Sequence, residues 1–169
     1  MTAISNQPTN YNYLSSVHFQ VLIHRAPNFN FFVQSVTLPG MQLPRADVGT
    51  PFINMPIPGD RIIYEDLTFR YKIDEKLASY NEFLTWFKGV GFPVNFEQYA
   101  DYVDGQRITS DISVIIHNSS RLPQVTYTYK DCWPTSMSSI DLSSTASDTE
   151  YIDSSVTFAF TDFEIAVST

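Results

Sequence analysis

Residues 58–89 read PGDRIIYEDLTFRYKIDEKLASYNEFLTWFKG, and the fold turns on how this stretch changes period. Pro58-Gly59-Asp60 opens it as a turn, because proline fixes one φ and glycine accepts a positive one. Leu67, Phe69, Tyr71 and Ile73 then alternate with Thr68, Arg70 and Lys72, the period of two of a half-buried strand. Leu77, Tyr80, Leu84 and Phe87 recur at helical spacing, and Phe83 and Trp86 widen the apolar stripe. Asp74 suits the first turn as a cap, Ser79 with Glu82 offers a second capping box, and Gly89 stands where a C-terminal cap belongs. The spacing predicts a strand, a corner and one helix over about residues 75–88.

Upstream, residues 1–16 are rich in Asn, Ser and Thr and read as a flexible or docking arm. Val17, Phe19, Val21 and Ile23 alternate with His18, Gln20, Leu22 and His24, Ala26-Pro27-Asn28 reads as a turn, and Phe29, Phe31 and Val33 begin a second strand. The pair is expected to form a hairpin. From 39 to 58 the composition shifts. Pro39, Pro44, Pro51, Pro56 and Pro58 punctuate a segment that still carries Met41, Leu43, Val48, Phe52, Ile53, Met55 and Ile57. Prolines argue against a central strand, and a polar loop would not hold so many apolar groups. The segment reads as a long extended loop whose apolar side chains pack on something else or fold back on their own domain.

Downstream of the helix, Gly, Pro and Asp mark a loop with a short helical turn around Phe96 to Tyr102. Ile112, Val114 and Ile116 make a strand, and Val125, Tyr127 and Tyr129 make another that ends near Trp133-Pro134. A short strand is expected around Ser138 to Leu142, and one long strand from Ile152 to Val167. Strands separated by turns around one inserted helix predict a mainly β chain, an antiparallel sandwich or barrel. At 169 residues one domain spanning 1–169 is expected.

The net charge of −8 argues against binding a phosphate backbone as the main task. No apolar run of about 20 residues spans a membrane, and the polar first residues do not read as a secretory signal. Cys132 is the single cysteine, so no intrachain disulfide is possible, and beside Trp133 it reads as a core thiol. His18, His24 and His117 lack a nucleophile elbow or the spacing of a helical zinc site. No catalytic residue, metal ligand or cofactor is expected. Asp148, Glu150 and Asp153 cluster near a turn without the pattern of a calcium loop. A monomeric acidic β-sandwich that binds a ligand, or a hydrolase, stays open as the reading from another class.

Taken in order, Pro58-Gly59-Asp60-Arg61, Tyr64 to Phe69, and Phe83-Leu84-x-Trp86 resemble the tail tube proteins of contractile-tailed bacteriophages. Trp133 to Ser136, Ile140 to Ser143 and the strand from Ile152 to Phe163 are similar to the C-terminal half of that family. An early Phe19-x-Val21 strand and the Leu38-Pro39-Gly40 turn extend the resemblance, which covers most of the chain beyond Ser16. It implies a β-sandwich or barrel related to the Hcp fold, assembling into hexameric rings that stack as a hollow tube in the virion. The implied partners are the chain itself, a sheath protein, and the initiator and terminator rings. DNA would pass through the bore unbound. Met41, Leu43, Val48, Phe52, Ile53, Met55 and Ile57 would form the subunit interface, and Asp141, Asp148, Glu150 and Asp153 would face the lumen. A baseplate initiator or a tail terminator of the same fold is the nearest alternative.

Overall fold

The computed structural model describes residues 12–91, 94, 97, 108–142 and 151–168. Its strands and helices run β1 (Phe19–Ile23), α1 (Phe29–Phe32), β2 (Val33–Thr37), β3 (Met41–Gln42), β4 (Arg45–Gly49), β5 (Asn54–Pro58), β6 (Ile63–Tyr64), β7 (Leu67–Lys72), α2 (Ala78–Gly91), β8 (Ser110–His117), β9 (Pro123–Met137), β10 (Asp153–Ala159) and β11 (Asp162–Val167). The main sheet is antiparallel in the order β1-β8-β9-β10-β7-β2, and β11 also pairs with β9. Two small ribbons, β3-β6 and β4-β5, lie outside it.

Fifteen-residue β9 holds the two halves together. Its first part pairs with β8 and β11, its last part with β10. Between them the register opposite β8 steps from Ile112↔Tyr129 to Ser110↔Cys132, one extra residue on β9. The bulge holds Asp131 at φ 52, a left-handed conformation that an L-residue adopts only when something fixes it. Here its N–H donates to Asp111 Oδ1 (3.1 Å), and its Oδ1 accepts from Thr109 Oγ1 (3.0 Å). The extra residue also changes which parity faces inward. Tyr129 is buried before it, Cys132 and Pro134 after it.

The neighbouring strand breaks at the same level. The sequence suggests one strand from Ile152 to Val167; the chain instead forms β10 and β11 with Phe160–Thr161 between them. Thr161 donates its N–H to Lys130 O (3.1 Å), beside the bulge, so the break follows the bend of β9. The strand expected at 138–142 is not formed: beyond Met137 only Ser138 holds on, through Ser155 O at 2.8 Å.

The hairpin expected from residues 17–33 is not formed either. β1 pairs with β8 and β2 with β7, at opposite ends of the strand order. Phe29 and Phe31 would share a face in a strand, yet Phe29 is fully buried and Phe31 is 86% exposed. The turn of α1 separates them. Phe29 gains edge-to-face contacts with Phe69, Tyr71 and Phe83 at centroid distances of 5.7, 5.1 and 4.8 Å, each such pair worth about 0.5–1.5 kcal/mol beyond its burial.

α2 starts later and ends later than its sequence pattern suggests. Asp74 is the cap: it accepts from Ala78 N (3.1 Å), Ser79 N (3.3 Å) and Ser79 Oγ (3.1 Å). Burial opposes its charge, but these donors outweigh it and hold the carboxyl below its ordinary pKa. Ser79 is buried and forms no box with Glu82, which reaches α1 instead and accepts from Asn28 Nδ2 (2.7 Å). Gly89 lies buried inside the helix rather than past its end. Phe83 and Trp86 enter the core beside Phe158 (5.9 and 5.6 Å between centroids), and Trp86 Nε1 donates to Ile108 O at 2.9 Å. Leu67, Phe69, Val156, Ile112 and Val114 complete a core with no exposed surface. The helical turn expected around Phe96 to Tyr102 lies outside the described residues.

Candidate interaction surface

β4 and β5 form an antiparallel ribbon where a proline-studded loop is expected. Backbone bonds from Gly59 N to Pro44 O (2.8 Å) and from Thr50 N to Ile53 O (3.1 Å) close its two ends. The pairs between them keep that parity, so Ala46↔Ile57 and Val48↔Met55 are the hydrogen-bonded pairs. Pro56 and Pro58 fall in the intervening pairs, where a residue points its backbone outward and needs no N–H. Prolines therefore allow β5 as an edge and block its outer side. A Cβ on Gly59 would overlap the Pro44 carbonyl oxygen, so glycine is required for the ribbon to close.

Cross-strand partners share a face, which makes the ribbon two-sided. Ala46, Val48, Met55 and Ile57 line one side. Arg45, Asp47, Asn54 and the two prolines line the other, where Arg45 Nε lies 3.7 Å from Asp47 Oδ1. Among the described residues nothing fully covers the apolar side: Val48, Met55 and Ile57 are 47%, 53% and 45% exposed. At the tip Phe52 and Ile53 are exposed, and at the root so are Met41 and Leu43. All seven apolar residues singled out in the sequence thus face solvent in the isolated chain. A two-stranded ribbon of this kind is marginal by itself in water.

A second uncovered feature was not legible in the pattern of residues. Among the described residues β1 and β2 each pair on one side only, leaving two free edges. Between them opens a cleft of about 420 Å³ whose apolar walls come from Phe19, Val36, Leu38, Val114 and Ile116. Alternation marks these residues as inward-facing but cannot show that no strand among the described residues closes the seam above them.

The acidic candidates divide. Asp141 is exposed just past β9, and Asp153 opens β10 at the same end of the sheet. Asp153 Oδ2 lies 3.2 Å from Arg70 Nη2, so its charge is opposed, and its buried Oδ1 has no hydrogen-bond partner. Asp148 and Glu150 lie outside the described residues. On this face a row of hydroxyls crosses four strands, Thr37↔Thr68↔Thr157↔Ser136, with Thr68 and Thr157 Oγ1 atoms 3.4 Å apart.

Among the described residues no group of three or more His, Cys, Asp or Glu side chains could hold a metal ion. His24 is exposed, and His117, at the end of β8, and His18, just before β1, are half-buried and joined by a hydrogen bond from His117 N to His18 O (2.9 Å). Burial pushes the Cys132 thiol up to about 12, leaving it almost entirely protonated at neutral pH. No helix among the described residues is long and apolar enough to cross a membrane.

No curated protein matches the chain in sequence. In fold it is similar to the tube-terminating cap of the anti-feeding prophage, at 13% identity and TM-score 0.62, covering 99% of this chain and 100% of that one. It is also similar to a chain of the anti-feeding prophage baseplate (13%, 0.61, covering 92% and 97%). A chain of the PVC extracellular contractile injection system sheath-tube complex is a third such structure (15%, 0.58, covering 99% and 100%). The family model described as phage tail tube protein matches residues 4–166. That match takes in nearly the whole sequence, and the chain belongs to the phage tail tube protein family, as a structural subunit and not an enzyme.

Proposed function

We propose that the chain closes into hexameric rings that stack into the hollow tail tube through which phage DNA passes into the host. The observation that carries this reading is the ribbon β4-β5, an amphipathic element whose apolar side stays about half exposed among the described residues. Exposed apolar surface is favourable to bury at about 25 cal/mol per Å², and obligate interfaces bury about 2,000 Å² or more. Met41, Leu43, Val48, Phe52, Ile53, Met55 and Ile57 are the residues that a neighbouring subunit covers in this proposal. Free edges on β1, β2 and β11 offer further pairing, and a closed ring removes the aggregation hazard they pose.

For the bore, the net charge of −8 repels DNA phosphates over about 8 Å at physiological salt, which lets the polymer slide. Asp141, Asp148, Glu150 and Asp153 are the acidic groups assigned to it, Asp153 contributing least because Arg70 opposes it. The tube grows from a baseplate initiator, ends at a terminator ring and is wrapped by a sheath, all assembled in the host cytoplasm. Likeness of similar size to a cap and to a baseplate chain keeps a capping or initiating ring as the second reading.

Negative-stain electron microscopy of the purified protein over a concentration series tests both. Hollow tubes of uniform width are expected; isolated rings would favour a cap or initiator. Monomers at every concentration would overturn self-assembly.

A further inference from the structure

We infer that the apolar side of β4-β5 seats in the seam between β1 and β2 of a second copy of this chain. The inference rests on the self-assembling reading above and names the surface that receives the ribbon. The chain carries two halves of one interface. One is a projecting ribbon with Ala46, Val48, Met55 and Ile57 on its uncovered side. The other is an apolar cleft of about 420 Å³ flanked by two unpaired strand edges. The two do not fill each other within one molecule, since the ribbon's apolar side is exposed while the cleft stands open. The root of the ribbon is held. Glu65 N donates to Gly40 O (3.0 Å), its carboxylate accepts from Gly40 N (3.3 Å) and Gln42 Nε2 (3.1 Å), and Gly59 N donates to Pro44 O (2.8 Å). Folding back onto the cleft would break this ladder.

Polarity fits the same placement. Besides its apolar walls the seam is lined by Ser15, Ser16, Gln34 and Ser35, with the exposed Leu14 among them. A ribbon seated apolar side down keeps Arg45 and Asp47 in water, which avoids burying a charge. Its edges are unequal. Pro56 and Pro58 block β5, whereas Asp47 and Gly49 of β4 point their backbone groups outward, so β4 is the edge that adds to a free strand. Because donor and receiver are different surfaces, the contact is head-to-tail and repeats from copy to copy, closing a ring or extending a stack.

Two single-cysteine variants test it, Met55→Cys on the ribbon and Gln34→Cys at the seam, both exposed positions. Buried, protonated Cys132 does not compete. The variants are mixed, assembled and oxidised with copper phenanthroline, then run on a non-reducing gel beside each variant alone. A disulfide dimer from the mixture and none from either variant alone is expected. Polymers that form without that cross-link, or an equal dimer from Met55→Cys alone, overturn the seam as receiver and leave the tube reading standing. Absence of any wild-type polymer by electron microscopy overturns both. As a second arm, Ser16→Trp fills the seam while leaving the ribbon native. It is expected to fold and remain unassembled, and normal polymers from it would overturn the inference.

Discussion

The sandwich and the ribbon β4-β5 use the same alternation of apolar residues and reach opposite ends. In β7, Leu67, Phe69 and Tyr71 alternate and are fully buried, because Phe29 of α1 and Phe83 and Trp86 of α2 pack against them and against Phe158 on the adjacent strand β10. In the ribbon, Val48, Met55 and Ile57 alternate as regularly and stay about half exposed. A period of two therefore shows which side of a strand wants cover; only the rest of the fold decides whether the cover is in the same chain. The sandwich is expected to owe its stability to itself, the ribbon to a neighbour.

The largest effect that would break this comparison is expected in the core. Phe158 touches Phe69, Phe83 and Trp86, and Phe158→Ala removes the ring on which the sheet and the helix meet. A loss of about 3–5 kcal/mol is expected in urea unfolding followed by tryptophan fluorescence. A loss below about 1 kcal/mol would mean that the core is not shared between these elements.

A smaller effect is expected at the helix cap, and it carries a sign in pH. Asp74 has a lowered pKa in the folded chain, so its contribution is present above the unfolded pKa and lost as pH falls through the folded one. Asp74→Ala should therefore melt below the wild type at pH 7 and alongside it in strong acid. Lys130 behaves in the opposite sense. Its bond to Glu164 raises its pKa, and that contribution is lost only as pH rises through the raised value. A cap difference that persisted unchanged in acid would place the effect in helix propensity rather than in the carboxylate.

How much of this was legible in the sequence follows from where information sits. Strand β7 and helix α2 were, because each declares its period within its own residues, although partners such as Phe158 lie far away in the chain. The hairpin expected between Val17 and Val33 was misread because one helical turn at Phe29–Phe32 imitates alternation, and Phe29 is decided by aromatic partners 40 to 54 residues away. The bulge at Asp131 carries no glycine to announce it, so the parity change in β9 and the break at Phe160–Thr161 had no local signal. For the interaction surface, composition found the seven apolar residues, while the prolines concealed that they belong to a ribbon with two distinct sides. The seam depends on which strand edges remain unpaired, a property of topology.

The smallest effect on folding is expected in the ribbon itself, and there it sharpens the contrast. Met55→Ser with Ile57→Ser changes two side chains that the isolated chain already shows to water, at 53% and 45% exposure. Substitutions at exposed sites shift stability by about 0.5 kcal/mol or less, so the urea midpoint of the monomeric protein should hardly move. Assembly should respond differently, since each apolar group lost weakens every subunit contact it joins, and the loss repeats along the polymer. Sedimentation of wild type and variant at matched concentration separates the two cases. Variant in the supernatant, with a native midpoint, assigns these side chains to a neighbouring copy. Variant in the pellet as tubes would mean that the ribbon's apolar side is not what holds the copies together. A lowered midpoint would show that the ribbon supports its own sandwich, and the contrast between the two regions would fail.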